Sequence, residues 1–393
     1  MKSIVSIFLS ALPLAAVGGE LEISGSIAAE SRTFFEGGQY DGQLDNWQPS
    51  VVVEPEFFYE TDEGNQQFRL TPYFRFDFED DERTHFDLRE ANWRLNSENW
   101  DLLVGVGKVF WGVTESQHLV DIINQDDFVE DIDREDKLGQ QMVNFTMYQD
   151  WGTLSFFVLP GFRERTFPGR DGRLRPGLLI SDDPVYESSA ENWHVDFAAR
   201  YAHSFGNWDV GASIFHGTGR EPRLLPNADG SELVPHYDII TQGGLDVQYT
   251  REALLLKLEA IAREGQGDTF GAVSGGFEYT LYQIFNTASD LGLLAEYHWD
   301  GRDETAPQTI FQNDVFAGAR LSMNDTQDTA LLFGVVKDTE SDAANLFVEF
   351  ERRIYDDWKL ELEGRFVANG HDDPVLDSFA NDSFVTLRLS RFF

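Results

Sequence analysis

The chain has 393 residues, with 69 Asp+Glu against 30 Lys+Arg, a formal net charge of -39, and no cysteine. That charge argues against nucleic acid as a partner, because phosphate binding needs clustered cations. The lack of thiols excludes a disulfide scaffold and every thiolate metal or nucleophile site.

The first segment, MKSIVSIFLSALPLAAVGGE, carries one Lys, an apolar run from Ile4 to Val17 and then small residues. It reads as a secretory leader over 1–19, cut near Gly18 or Gly19. The run is shorter than the roughly 20 apolar residues a spanning helix needs, and no later segment approaches that length. The remainder, 20–393, reads as one domain.

From there the pattern is period two. In NWHVDFAARYAH, Trp193, Val195, Phe197, Ala199 and Tyr201 share a face opposed to His194, Asp196, Ala198 and Arg200. DLGLLAEYHWD and DWKLELEGRF repeat it, with Leu291, Leu293, Ala295, Tyr297 and Trp299 on one apolar face and Trp358, Leu360, Leu362, Gly364 and Phe366 on another. Short polar-apolar alternation without helix-period segments predicts strands at 20–33, 51–61, 65–78, 84–96, 99–109, 139–149, 152–161, 192–205, 207–217, 236–249, 252–263, 267–281, 289–300, 312–324, 328–338, 344–354, 357–368 and 382–393. These make eighteen, with sixteen as the alternative count. The run at 84–96 slips phase between Leu88 and Trp93, which predicts a bulge or a misplaced edge.

Connections alternate in length. TDEGN, NSEN, QDW, FGN, TRE, NDTQD and YDD are short and rich in turn formers, whereas 36–50, 110–138, 162–191 and 218–235 are long. The fold class is therefore all-β: a transmembrane antiparallel up-and-down β-barrel with short periplasmic turns, long extracellular loops and both ends on the periplasmic side. Small residues in SGSIAA and VFAGARLS offer a wall for a homo-oligomer.

The third extracellular loop holds HLVDIINQDDFVEDIDRED, which opens like a short amphipathic helix and has seven carboxylates in the eleven residues from Asp126. Left in water, Leu119, Val120, Ile122 and Ile123 would cost free energy that packing on an inner wall removes. The expectation is that 110–138 folds inward and lines a constriction with Asp121, Asp126, Asp127, Glu130, Asp131 and Asp133. By strand parity Arg69, Arg75, Arg200, Arg320, Arg353, Arg365 and Arg388 point inward as a basic wall, producing a transverse field. Glu54, Glu56, Glu278, Glu296, Glu349, Glu351, Glu361 and Glu363 share those inward faces and leave the charge preference open. In position and charge the loop is similar to the third loop of the general porins, which narrows their pore.

The segment 105–127, which takes in all but the last residue of VGKVFWGVTESQHLVDIINQDDF, resembles a second family of outer-membrane proteins, which carry a WGxxES-like turn and an IN-x-x-D stretch. The matching residues are Trp111, Gly112, Glu115, Ser116, Ile123, Asn124 and Asp127; those relatives commonly have Pro where this chain has Gln125. That resemblance implies specialised transport of lipidic or polymeric cargo. The final SFVTLRLSRFF, ending in Phe393, resembles the terminal signal of bacterial outer-membrane barrels. It implies a Gram-negative outer membrane and the barrel-assembly machinery as a partner.

No catalytic constellation stands out. His194 and Asp196 share a face without a Ser tied to them, GAVSGG lacks the spacing of a nucleophile elbow, and no histidine makes a zinc pattern. The acidic run admits a calcium ion, against which its lack of glycine and of regular ligand spacing counts. The Arg-rich segment ERTFPGRDGRLRPG admits contact with lipopolysaccharide phosphates, beside outer-membrane lipid itself. The functional expectation is a non-enzymatic channel, without cofactor, for small polar or specialised solutes. The alternative is a non-conducting barrel acting as receptor, adhesin or lipid- or polymer-export partner.

Overall fold

The computed structural model describes residues 18–393; residues 1–17 of the expected leader lie outside the described residues. Eighteen antiparallel strands form one sheet, and it closes on itself: Ser26 to Phe34 of the first strand pair with Phe392 to Phe384 of the last. Every expected strand is present. The largest difference is at Trp47–Thr61, which starts four residues before the expected Val51.

Alternation explains the closure. Along Ala344–Tyr355 the residues Phe347, Glu349, Glu351 and Arg353 face inward, and they pair across to Arg365, Glu363, Glu361 and Lys359 of Trp358–Ala368. The opposite face carries exposed apolar residues all round the barrel, among them Leu21, Phe74, Phe156, Leu256, Leu293 and Phe333. A cylinder with a lipid-compatible outside and a charged inside satisfies every ladder hydrogen bond without an exposed edge.

The phase slip is a bulge. Thr71 pairs with Glu90 but Pro72 pairs with Leu88, so Arg89 is the extra residue. Pro72 has no N–H to donate to the ladder, and inserting a residue beside it brings both Arg89 and Glu90 to the lumen. There Arg89 reaches Asp127 and Glu90 reaches Arg69.

Two loops hold structure that alternation did not indicate. Leu179–Ile180, Val185–Tyr186, Arg223–Pro226 and Glu232–Tyr237 form a small sheet above the barrel, partly with parallel pairing. Its segments are too short for a period to register.

Leu258 lies mid-strand on the lipid face. Leu258→Arg should destabilise the folded barrel by about 2–4 kcal/mol, read by denaturant titration in lipid vesicles.

Candidate channel constriction

The connection between Trp100–Gly107 and Gln140–Gln149 runs into the barrel. Trp111, Leu119, Val120, Ile122 and Ile123 are buried in one cluster with Leu103, Met142, Phe157, Leu159, Phe215, Ile240, Ile261 and Phe270. Each apolar side chain buried this way contributes roughly 1.5–3 kcal/mol, so this cluster fixes the loop to one half of the inner wall.

Two wall glutamates hold its backbone. Glu259 accepts hydrogen bonds from the amides of Val113 (2.6 Å), Thr114 (3.0 Å) and Val120 (3.2 Å) and from the Thr114 hydroxyl (2.7 Å). Glu296 accepts from the amides of Glu115 (2.7 Å) and Ser116 (3.0 Å) and from the Ser116 hydroxyl (2.7 Å). Gly112 is required at this dock: its φ is +153°, and a Cβ there would lie 2.9 Å from His118 Nδ1 and 3.1 Å from Glu259 Oε1. Asn124 closes the loop's base, accepting from the Val109 amide and donating to the carbonyls of Gly107 and Leu138. The helical opening expected from His118 onward is absent; the segment is turns and bends. The wall carboxylates and nearby side chains take the amide protons that a helix would give to its own carbonyls.

The acidic run is paired rather than free. Asp121 and Asp126 meet Lys137 at 3.0 and 2.6 Å, and Asp126 also meets Arg134 and Arg165. Asp127 meets Arg89 at 2.8 Å and accepts from Thr166 at 2.6 Å. Burial works to raise Asp127, but His85, Arg89 and Thr166 outweigh it and hold its carboxyl well below the usual range. Glu130 pairs with Arg75, Asp131 with Arg32 (2.7 Å) and Asp133 with Arg365 (2.6 Å). Of the six carboxylates expected to line the constriction, Glu130, Asp131 and Asp133 do line the cavity, each paired, whereas Asp121, Asp126 and Asp127 are buried away from it. A bare carboxylate in an enclosed lumen is too costly to keep without a partner.

All seven expected arginines are on inward positions, but they do not form a free basic wall. Arg75, Arg365 and Arg320 bind the loop, the last through Glu115. Arg200 forks onto Asp246 at 2.6 and 2.8 Å and lies over Trp111. Arg69 serves Glu56 and Glu90, Arg388 lies near Glu30 and Glu361, and Arg353 sits at the turn end beside Asp328. Phe393 exchanges two backbone hydrogen bonds of 3.1 Å with Gly25. Sequence reasoning missed Glu30 and Arg32, whose alternation in ESRTF does place them inward. It also missed Arg83, which lies in a turn without a period, and Arg89, which the bulge concealed.

The calcium reading meets competition. Asp131, Asp133 and Glu363 converge within 4.8 Å, as do His85, Asp127 and Glu130, but Arg32, Arg365, Arg75 and Arg89 already neutralise them. The arginines of the Arg-rich loop divide between internal partners and solvent. Arg163 binds Asp87, Arg165 binds Asp126 and Arg173 binds Asp382, all inside the molecule, and Arg170 is exposed.

One serine does meet a histidine. Ser116 Oγ lies 2.7 Å from both His298 Nε2 and Glu296, and His298 Nδ1 lies 2.7 Å from Ser274 Oγ. A neutral His298 that donates from Nε2 and accepts at Nδ1 satisfies this chain completely. It leaves no ring nitrogen free to take the serine proton. His194 and Asp196 are also in contact, at 2.8 Å, with Asp196 held by Arg220.

Beside the docked loop a cavity of about 710 Å³ remains. It runs along the wall from Arg320 round to Arg75 and is lined by eleven carboxylates and six guanidiniums. Arg365 alone serves Asp133, Glu349 and Glu363. Asp136 is open to the lumen; confinement there, with Glu130 and Asp127 close, raises it to about 7 against the pull of Arg89 and Arg75.

No protein-family model matches the chain, and no curated protein does. Solved structures do. Wzi of Escherichia coli, described as a carbohydrate-binding β-barrel involved in group 1 capsule assembly, is 11% identical with a TM-score of 0.56, over 93% of this chain and 83% of Wzi. OpdO of Pseudomonas aeruginosa is 13% identical with a TM-score of 0.53, over 96% of each chain. OccD3 of the same organism is 12% identical with a TM-score of 0.52, over 96% of this chain and 92% of OccD3. At these identities the likeness is one of fold, and the fold is the closed porin-type β-barrel.

Glu259→Ala removes the acceptor of three loop amides, and each buried donor left unmet costs about 1–3 kcal/mol. Hydrogen exchange at Val113, Thr114 and Val120 should accelerate while the strand amides stay protected.

Proposed function

We propose that this chain is a channel of the Gram-negative outer membrane for small polar solutes, favouring cations, and that it is not an enzyme. In this reading it is exported by its leader and inserted by the assembly machinery through the Phe393 signal. The observation that carries the reading is the charged cavity beside the docked loop, with almost twice as many carboxylates as guanidiniums in its lining. Charge of one sign in a narrow passage with low-dielectric walls concentrates counter-ions and repels co-ions. The loop sets the width and the carboxylates set the sign.

A second reading is a barrel that binds a surface polysaccharide without conducting. The likeness to Wzi favours it, and glycan binding by a barrel that carries no current would support it.

The test is the reversal potential of the refolded full chain in planar bilayers under a potassium chloride gradient. Potassium should be preferred over chloride, and combining Asp136→Asn, Glu349→Gln and Glu363→Gln should reduce the preference several-fold. An unchanged ratio would place the conducting path elsewhere. Because a carboxyl raised to about 7 is ionised above that pH and neutral below it, lowering the pH from 8 to 6 should weaken cation preference. In Asp136→Asn that step should shrink.

A further inference from the structure

Arg32 and Thr386 line the cavity toward its outer end, and the closing register pairs them with each other and pairs Phe34 with Phe384 one inward step further out. At that level Phe34, Leu44, Leu174 and Phe384 are buried together, with Ile132 of the docked loop packed against them. Leu44 belongs to the segment 35–46, Leu174 to 161–178, and Phe384 comes directly after 369–383, so three external loops supply or flank this apolar seal.

One side chain joins all three. Arg173 is completely buried; its Nε donates to Asp382 at 2.7 Å, and its Nη atoms donate to the carbonyls of Glu36 (3.1 Å), Asp45 (2.5 Å) and Asn381 (2.7 Å). It also lies 4.4 Å from the Phe34 ring centroid, and the other Asp382 oxygen accepts the Leu174 amide. Among the described residues no strand ladder joins these segments to one another; besides the apolar seal, the remaining ties are separate bonds, among them Leu44 N to Asp171 O, Phe35 N to Ser383 O, Gln39 to Asp377 O and Arg175 to Asp41 O.

The same seam is incompletely satisfied. Gln39 Oε1, Gln43 Nε2 and Arg175 Nε are buried there without a hydrogen-bond partner. Arg175 is 3% exposed and has no carboxylate in salt-bridge range. Hydration on opening would satisfy these atoms, whereas closure leaves them bare. The base of 161–178 is anchored by Arg163 to Asp87, Arg165 to Asp126 and Thr166 to Asp127, whereas its tip, 168–178, is joined to the other two loops mainly by the Arg173 clasp and the apolar seal and is opposed by these unmet polar groups.

We infer that 35–46, 168–178 and 369–383 form a lid over the outer mouth of the cavity, closed in this structure and released when the Arg173–Asp382 clasp opens. This rests on the channel reading for its purpose, though not for its motion. Removing one member leaves a charge buried without its partner in the closed state only, so the equilibrium moves toward opening.

The test uses the full chain in bilayers and nanodiscs with Asp382→Asn, Arg173→Gln and Arg173→Lys. Heat-modifiable electrophoretic migration verifies that each barrel is intact. Spin labels on Asp41→Cys and Asp171→Cys, both exposed, report the loop separation, and single-channel recording reports the open fraction. Asp382→Asn and Arg173→Gln should lengthen the separation and raise the open fraction at least about tenfold. Arg173→Lys, which keeps the charge without the fork, should fall between. Unchanged separations in folded variants overturn the lid. Longer separations with no current in any variant support the lid and overturn the channel reading.

Discussion

Inside a closed barrel, a chain segment that leaves the outer mouth and turns inward must find partners for its amides and its charges, because water reaches few of them. The wall here supplies both. Glu259 and Glu296 receive the amides of the WGVTES turn, while Arg32, Arg75, Arg89 and Arg365 receive the carboxylates of the acidic run. The two sets act on opposite ends of the loop. Acceptors and the apolar cluster hold its first part against one half of the barrel, and guanidiniums position its second part toward the other half. The passage that remains, its width and its surplus of carboxylates all follow from that division.

Pairing on this scale has a cost in desolvation that ion pairs alone seldom recover. What they contribute is a defined position. Replacing any one member leaves a charge stranded in the lumen, so the loop has one well-determined seat. The Arg173 clasp applies the same rule at the outer mouth, but between loops that share no ladder. There the rule gives the joint inferred to open when one partner goes, since no ladder shares the load.

The cylinder was legible in the sequence because its physical cause has a period of two and extends over the whole chain. Even the slip before Trp93 was visible, since an inserted Arg89 reverses the phase of the rest of its strand. The inward arginines on strands were legible for the same reason. The loop's pairings were not, because Asp126 meets Arg165 and Asp133 meets Arg365 across sequence distances that carry no pattern. Glu296 read as an ordinary inward carboxylate and Glu259 was not singled out, because nothing local marks either as a receptor for backbone amides, 145 positions away for Glu259 and 181 for Glu296. The helical look of His118 onward misled because apolar spacing reports burial, whereas the wall decides which acceptor each amide meets.

The central claim is that the third external loop lies against the inner wall. It can be tested by a single crosslink. A Cβ built on Gly244 lies 3.6 Å from the Val120 Cβ, within the separation a disulfide requires, and the chain has no other cysteine. In membrane-embedded protein, Val120→Cys with Gly244→Cys should oxidise almost completely, and the unfolded chain under the same conditions should not. A correctly folded barrel in which both thiols stay free would put the loop outside the lumen and contradict the account.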